Sequence, residues 1–301
     1  MDRFASATLR YLKRLLVRAV RRLAARLGYD TVWQDYYSPI PDLAKIPDRF
    51  WSSRSDLVGV ASWDPDRQLD FVREKLAPHI AEFEPPPGFQ LDNGSYASVD
   101  AEVLYAMIRA HKPRHMLEIG AGYSTLVAAS ACRRNVKEGS PVEFTSVDPY
   151  PAAFVDLAIA DFGELRRERA TDLPLDRLAE LGEDDILFLD TTHTVKLGGD
   201  VTHLVLEVLP RLGPGVIVHI HDIFLPWHYP RRWLEQDAYY WAEQYLVQAF
   251  LCFNSDFEVM VGCHLLSRER PTELARLVPS FDSDAAPAAL WLRRTADLSS
   301  E

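Results

Sequence analysis

Two short stretches of this 301-residue chain concentrate side chains that can move a proton or hold a metal. Asp190-Thr191-Thr192-His193 directly follows an apolar run at 185–189, and His219-Ile220-His221-Asp222 closes another at 215–220. Alternation along a strand puts His219 and His221 on one face and Ile220 on the other. A histidine titrating near neutrality can act as a general base toward an acceptor hydroxyl. His193 is the first candidate for that base and His221 the second, each with an aspartate nearby. The same group offers a second chemistry: Asp190, His193, His221 and Asp222 can hold a divalent cation that acidifies and orients the acceptor. His219 reads as a core histidine.

A different chemistry is written at Glu118-Ile119-Gly120-Ala121-Gly122-Tyr123-Ser124-Thr125. A strand runs into a glycine turn and then a helix, whose free N–H groups can meet an anion. Asp148 ends the next strand, where a carboxylate can take both hydroxyls of a ribose. A dinucleotide site wants a small residue where Thr125 stands. Glu118 would also repel a pyrophosphate. A cofactor carrying a sulfonium and an ammonium group is attracted by the same acids, so S-adenosylmethionine fits better than NAD.

Both stretches require strands to place them. From Arg114 onward, short apolar runs at 115–119, 142–147, 185–189, 215–220, 257–262 and 289–292 alternate with helical stretches at 124–133, 151–161, 196–211 and 231–252. This is the pattern of an α/β, doubly wound, Rossmann-like sheet, with ligands at the carboxyl ends of its strands. After the run at 215–220 come Trp227, Tyr229, Trp233 and Trp241, and ahead of the fold stands the Asp92-Asn93-Gly94-Ser95-Tyr96 turn. Tyr96, Trp227, Tyr229 and Trp241 are candidates for an acceptor pocket; turn formation and core closure are their plainer roles.

Three parts follow along the chain. Residues 1–28 hold eight basic side chains against the single acid Asp2, with Leu9, Leu12, Leu16, Val20, Leu23 and Leu27 at helical spacing. They read as a basic amphipathic helix that either packs on the domain or lies on an anionic membrane. Residues 29–90 form an extended and helical wrapping segment, and 91–301 the cofactor-binding domain. The total of 33 basic and 44 acidic residues excludes a general nucleic-acid binder. No apolar run approaches the roughly 18–20 residues of a membrane span. Cys132, Cys252 and Cys263 are odd in number and widely spaced, which suits a reducing cytoplasm. Oligomeric state is open, a homo-oligomer included.

The stretches LEIGAGYST, SVDPY, DILFLDTTH and GVIVHIHDIF together resemble a class I S-adenosylmethionine-dependent methyltransferase, over roughly residues 92–265. The resemblance extends to a bacterial small-molecule subgroup that carries YYSPIPD and DNGSY ahead of the fold. It implies a seven-stranded, mostly parallel sheet with an antiparallel last strand. It implies that Glu118, Gly120, Gly122 and Tyr123 form the methionine-side loop, with Ser124 near the carboxylate. Asp148 would bind the ribose, Asp172 would sit by the adenine, and Asp190 would face the donor. The expected activity is methylation of a small molecule or glycan, on oxygen first and on carbon as the alternative. A non-catalytic S-adenosylmethionine-binding module is the competing class.

Overall fold

Val-, Ile- and Leu-rich runs with little polar interruption belong inside a parallel sheet, where both faces are covered. The computed structural model, which describes residues 15–29, 32 and 35–295, bears this out. Seven strands form one sheet: β1 (His115–Ile119), β2 (Glu143–Val147), β3 (Gly163–Arg166), β4 (Ile186–Leu189), β5 (Ile217–Ile220), β6 (Phe257–Gly262) and β7 (Leu290–Arg294). Their order is β3-β2-β1-β4-β5-β7-β6. The first five are parallel, while β7 enters antiparallel between β5 and β6. The third strand, Gly163–Arg166, matches none of the apolar runs; it is a short edge, where half-buried residues suffice.

Period-two alternation sorts the strands into two cores. Met116, Ile186, Phe188, Ile217 and Trp291 face the helices Asp100–His111 and Tyr123–Lys137. Leu117, Ile119, Leu187, Leu189, Val218 and Ile220 face the apolar stretch 201–209 and the Glu243–Leu251 helix. Each fully buried aliphatic side chain contributes about 1.5–3 kcal/mol, which holds the strand ends in register.

Two helices expected from periodicity are shorter than the pattern. The helix after β4 starts only at Asp200, leaving 191–199 as a loop. The 231–252 stretch is broken into Arg231–Glu235 and Glu243–Leu251, with Ala238 in a left-handed conformation between them.

The chain divides into two units, 1–50 and 51–301. Within the larger unit, residues 51–80 are stitched to the sheet's β6 end. Arg54 bridges Trp227, Val60 bridges Cys252, and Gln68 Oε1 accepts the Gly262 N–H at 2.9 Å. Leu9 and Leu12 of the expected amphipathic helix lie outside the described residues.

At the amino end of the sheet, buried Asp185 joins β1 to the turn before β4. Its carboxylate accepts the N–H groups of Arg114, His115 and Gly182 at 2.8–2.9 Å. Burial raises its pKa, but these bonds and His115 outweigh it and hold the pKa below the usual value. That stabilisation is complete above the unfolded pKa of about 3.9 and is lost as pH falls through the lower folded value. Asp185→Asn is therefore expected to lose about 2 kcal/mol at pH 7 and to flatten the acid limb below about pH 4. Urea unfolding of both chains at pH 3 and pH 7 checks this; parallel pH profiles would contradict it.

Candidate active site

The site stands where the strand order reverses, between β1 and β4, at the carboxyl ends of the strands. The sheet ladder runs one residue past these ends. Gly120 N–H donates to Val147 O, Asp190 N–H to Ile119 O and His221 N–H to Leu189 O, each at 2.9 Å. These bonds set the elbow and both rim clusters in one row.

Gly120 has φ +96°, and a Cβ on it would lie 1.6 Å from the Asp190 carbonyl oxygen. Only glycine lets β1 turn this close to β4. At Gly122 the backbone is extended, and a Cβ would meet no protein atom within 4 Å. The elbow opens onto a cavity of about 440 Å3 lined by Gly120, Asp148, Tyr150, Thr171, Asp190 and Thr192, among others. Asp148 Oδ2 accepts from Ala121 N–H at 3.0 Å and Oδ1 from Tyr150 N–H at 2.6 Å. Each bond fixes the carboxylate while leaving it lone pairs.

Several expected donor residues lie elsewhere. Glu118 is fully buried beneath the turn. It accepts hydroxyl bonds from Ser124, Thr125 and Ser146 at 2.7–2.8 Å. Burial lifts its pKa to about 7 against the pull of these hydroxyls. Glu118 and Ser124 thus bind each other and shape the loop from within. Their spacing put both in the loop, but alternation along β1 turns the Glu118 side chain into the core. Asp172 is exposed and does not line the cavity; its neighbour Thr171 does. Tyr123 stacks on Phe154 at 5.2 Å outside the cavity lining.

The rim clusters converge. His193 Nε2 stands 3.1 Å from Asp190 Oδ1 and 3.3 Å from Asp222 Oδ2, and its Nδ1 is 2.8 Å from Glu243 Oε2. His221 Nδ1 stands 3.7 Å from both Asp190 and Asp222, and its Nε2 is 3.5 Å from Asp100. His193 and Asp222 both sit in left-handed backbone, φ +52° and +57°. Non-glycine residues hold such a conformation only where the surroundings impose it, often at functional sites.

Burial by itself would lower the His193 pKa; Asp190 and Glu243 overcome it and raise it to about 10. Burial likewise opposes a raised His221, which Asp222 and Asp190 lift well above the ordinary value. With both nitrogens engaged by carboxylates, His193 favours its protonated form, and a cation bound through Nε2 would displace that proton. Three carboxylates compete for its protons, which weighs against action as a free general base.

One ligand atom each from Asp190, His193 and Asp222 lies within 4.8 Å of the others, a spacing that fits a metal ion. Glu243 completes the arrangement. A carboxylate on Nδ1 orients Nε2 toward a metal and raises its basicity. Sequence reasoning missed Glu243, which lies 50 residues beyond His193. The helix break delivers it, because the His193 carbonyl accepts the N–H groups of Ala242 and Glu243 at 3.0 and 3.2 Å. Asp100, which also accepts from the Ala288 and Ala289 N–H groups, is a second acid at the site that sequence reasoning missed.

Of the expected acceptor aromatics, two reach the cluster. The Trp241 ring lies 4.4 Å from the His193 ring, and buried Tyr96 lies 4.8 Å from His221. Tyr96 is delivered by Asn93, whose side chain closes the turn on Ser95, Tyr96 and Gln90. Tyr229 is buried beside Phe224, with its hydroxyl accepting the Gln244 N–H at 3.1 Å. Trp227 packs on His264, Arg54 and Arg268. Neither ring packs on His193 or His221; Tyr229 closes a small core with Phe224, and Trp227 lies half-buried at its edge. His219, fully buried and stacked on Phe188 at 4.2 Å, is the core residue expected.

Residues 117–223 match the family described as "Methyltransferase domain". Over that stretch, about a third of the chain, the protein is similar to methyltransferase domains. An uncharacterized protein of Archaeoglobus fulgidus is 25% identical over 166 residues, half of this chain and 73% of its own length. Among solved structures, the methyltransferase is similar to magnesium- and SAM-bound CmcI, with 15% identity, 73% of this chain and 84% of that one covered, and a TM-score of 0.38. A putative methyltransferase from Thermobifida fusca has 13% identity, 80% and 97% coverage, and a TM-score of 0.41. The match points to methyl transfer, for which the sequence motifs imply S-adenosylmethionine as the donor. The elbow and cavity fit that donor: Gly120 and Asp148 line the space, and Gly122 leaves room for a close ligand.

Proposed function

We propose that this methyltransferase methylates a hydroxyl of a small molecule or glycan, with metal-assisted deprotonation of that hydroxyl. One observation carries the reading. Asp190 both lines the donor cavity and belongs to the Asp190/His193/Asp222 group, so transferable methyl and acceptor oxygen would meet at one residue. S-adenosylmethionine brings an already activated methyl group. The protein's task is then alignment and removal of one proton. A divalent cation held by Asp190, His193 and Asp222 would lower the acceptor's pKa and orient it.

The chain's own residues do the rest. Asp148 and the Gly120 elbow seat the donor. Glu243 fixes the His193 ring, so that Nε2 faces the two aspartates. Tyr96 and Trp241 cover the histidines and exclude water. The carboxylates around His221 favour its protonated form, and His193 would give up its Nε2 proton to a bound cation while Glu243 keeps the Nδ1 proton, so acidification of the acceptor is favoured over direct proton capture by histidine.

The test is calorimetric. S-adenosylhomocysteine is expected to bind, and Asp148→Ala to weaken it about tenfold or more through loss of the ribose contact. NAD is expected not to bind. Binding of NAD without S-adenosylhomocysteine would reverse the assignment. Incubating the enzyme, donor and Mg2+ with a panel of hydroxyl compounds, then assigning the methyl group by carbon NMR, decides the acceptor class. A methyl group found on carbon would refute O-methylation.

A further inference from the structure

The helical residues 15–26 carry an unusual distribution of side chains. Leu16, Val20, Leu23 and Leu27 fall on one stripe at helical spacing and are 66, 48, 63 and 70% exposed. Arg18, Arg21, Arg22 and Arg26 occupy the remaining circumference, and residues 15–29 contain no acid. Exposed Tyr29 follows directly, with exposed Tyr36 and Tyr37 packed edge to face a few residues on. Apolar stripes of soluble helices face a core; the side chains of this one are exposed.

An occupant must therefore accept hydrocarbon and complement positive charge together. A second copy of the helix would satisfy the leucines but set acid-free arginine flanks against each other. An acidic protein surface would satisfy the arginines and leave the leucines without apolar cover. The headgroup layer of an anionic bilayer meets both demands, and tyrosines favour that same interface. No described helix is long and apolar enough to cross a membrane.

We propose that residues 15–29 lie in the plane of an anionic membrane surface, leucine stripe inward, tethering the methyltransferase there. The net charge of −11 opposes such binding by the chain as a whole, so attachment depends on its basic amino-terminal part, to which this segment belongs.

The experiment is flotation of the full-length chain with phosphatidylcholine vesicles and with vesicles containing about one-third phosphatidylglycerol. At least tenfold more protein is expected on the anionic vesicles, falling about tenfold in roughly 0.5 M salt. Leu16→Asn/Leu23→Asn/Leu27→Asn and, separately, Arg18→Gln/Arg22→Gln/Arg26→Gln are expected to drop to the neutral-lipid level. Both variants are expected to keep the parent's S-adenosylhomocysteine affinity, which excludes unfolding of the domain as the cause. Three results would each overturn the proposal: no flotation of the parent, equal flotation on both vesicles, or a leucine variant that floats like the parent. A parent that is dimeric by sedimentation, with a monomeric leucine variant and no lipid dependence, would assign the stripe to a second copy instead.

Discussion

Gly120→Ala is expected to destabilise the methyltransferase by about 4 kcal/mol and to abolish donor binding. Two costs combine. The backbone at φ +96° disfavours any Cβ, and the added atom would lie 1.6 Å from the Asp190 carbonyl oxygen. That carbonyl belongs to the residue that hydrogen-bonds back to Ile119, so β1 and β4 must part where the cavity begins. The melting temperature should fall by about 10 °C. Gly94→Ala is the control: its φ is +78°, but a Cβ there meets nothing within 4 Å. It should lose only about 1 kcal/mol and keep the donor. Calorimetric melting and S-adenosylhomocysteine titration of both variants give the answer. A Gly120→Ala chain melting within about 2 °C of the parent would mean that the β1–β4 contact relaxes freely.

The second large effect belongs to the rim. Glu243→Gln is expected to weaken Mn2+ or Mg2+ binding by about 10- to 100-fold, because it removes the carboxylate that orients His193. Asp222→Asn removes a ligand and should weaken the metal at least as much. Neither should alter S-adenosylhomocysteine affinity by more than about twofold, since neither residue lines the donor cavity. Once an acceptor is in hand, chelation of the parent enzyme and Asp222→Asn should each cut turnover by about 100-fold. Metal titration by calorimetry and by Mn2+ resonance reads the first part without any acceptor. Unchanged metal affinity in Glu243→Gln would mean that His193 is not a ligand, and chelation without effect would leave the cluster to electrostatics alone.

Much of the frame was legible because local patterning and tertiary burial agree. The runs HMLEI, DILFL and FEVMVG sit on strands within a residue or two of their apolar limits. Burial on both faces demands an apolar run, and a run of that length has few alternatives. The third strand was faint because an edge strand with one crowded neighbour needs fewer apolar residues. The break at 236–242 was invisible for a different reason. Periodicity continues across it, while the competing force, capture of the Ala242 and Glu243 N–H groups by the His193 carbonyl, comes from 50 residues away.

The order of elements, the glycine elbow and the pairing of Asp190 and His193 with His221 and Asp222 were all set by residue type and spacing. Those are local properties: burial preference, turn geometry and charge act over a few residues. Tertiary structure alone decided which acids face outward. It turned Glu118 inward, brought Asp100 and Glu243 onto the histidines, and set Tyr96 and Trp241, rather than Trp227 and Tyr229, against their rings. Those outcomes depend on distances of a few ångströms between distant segments, and Coulomb energy and desolvation change steeply over just that range.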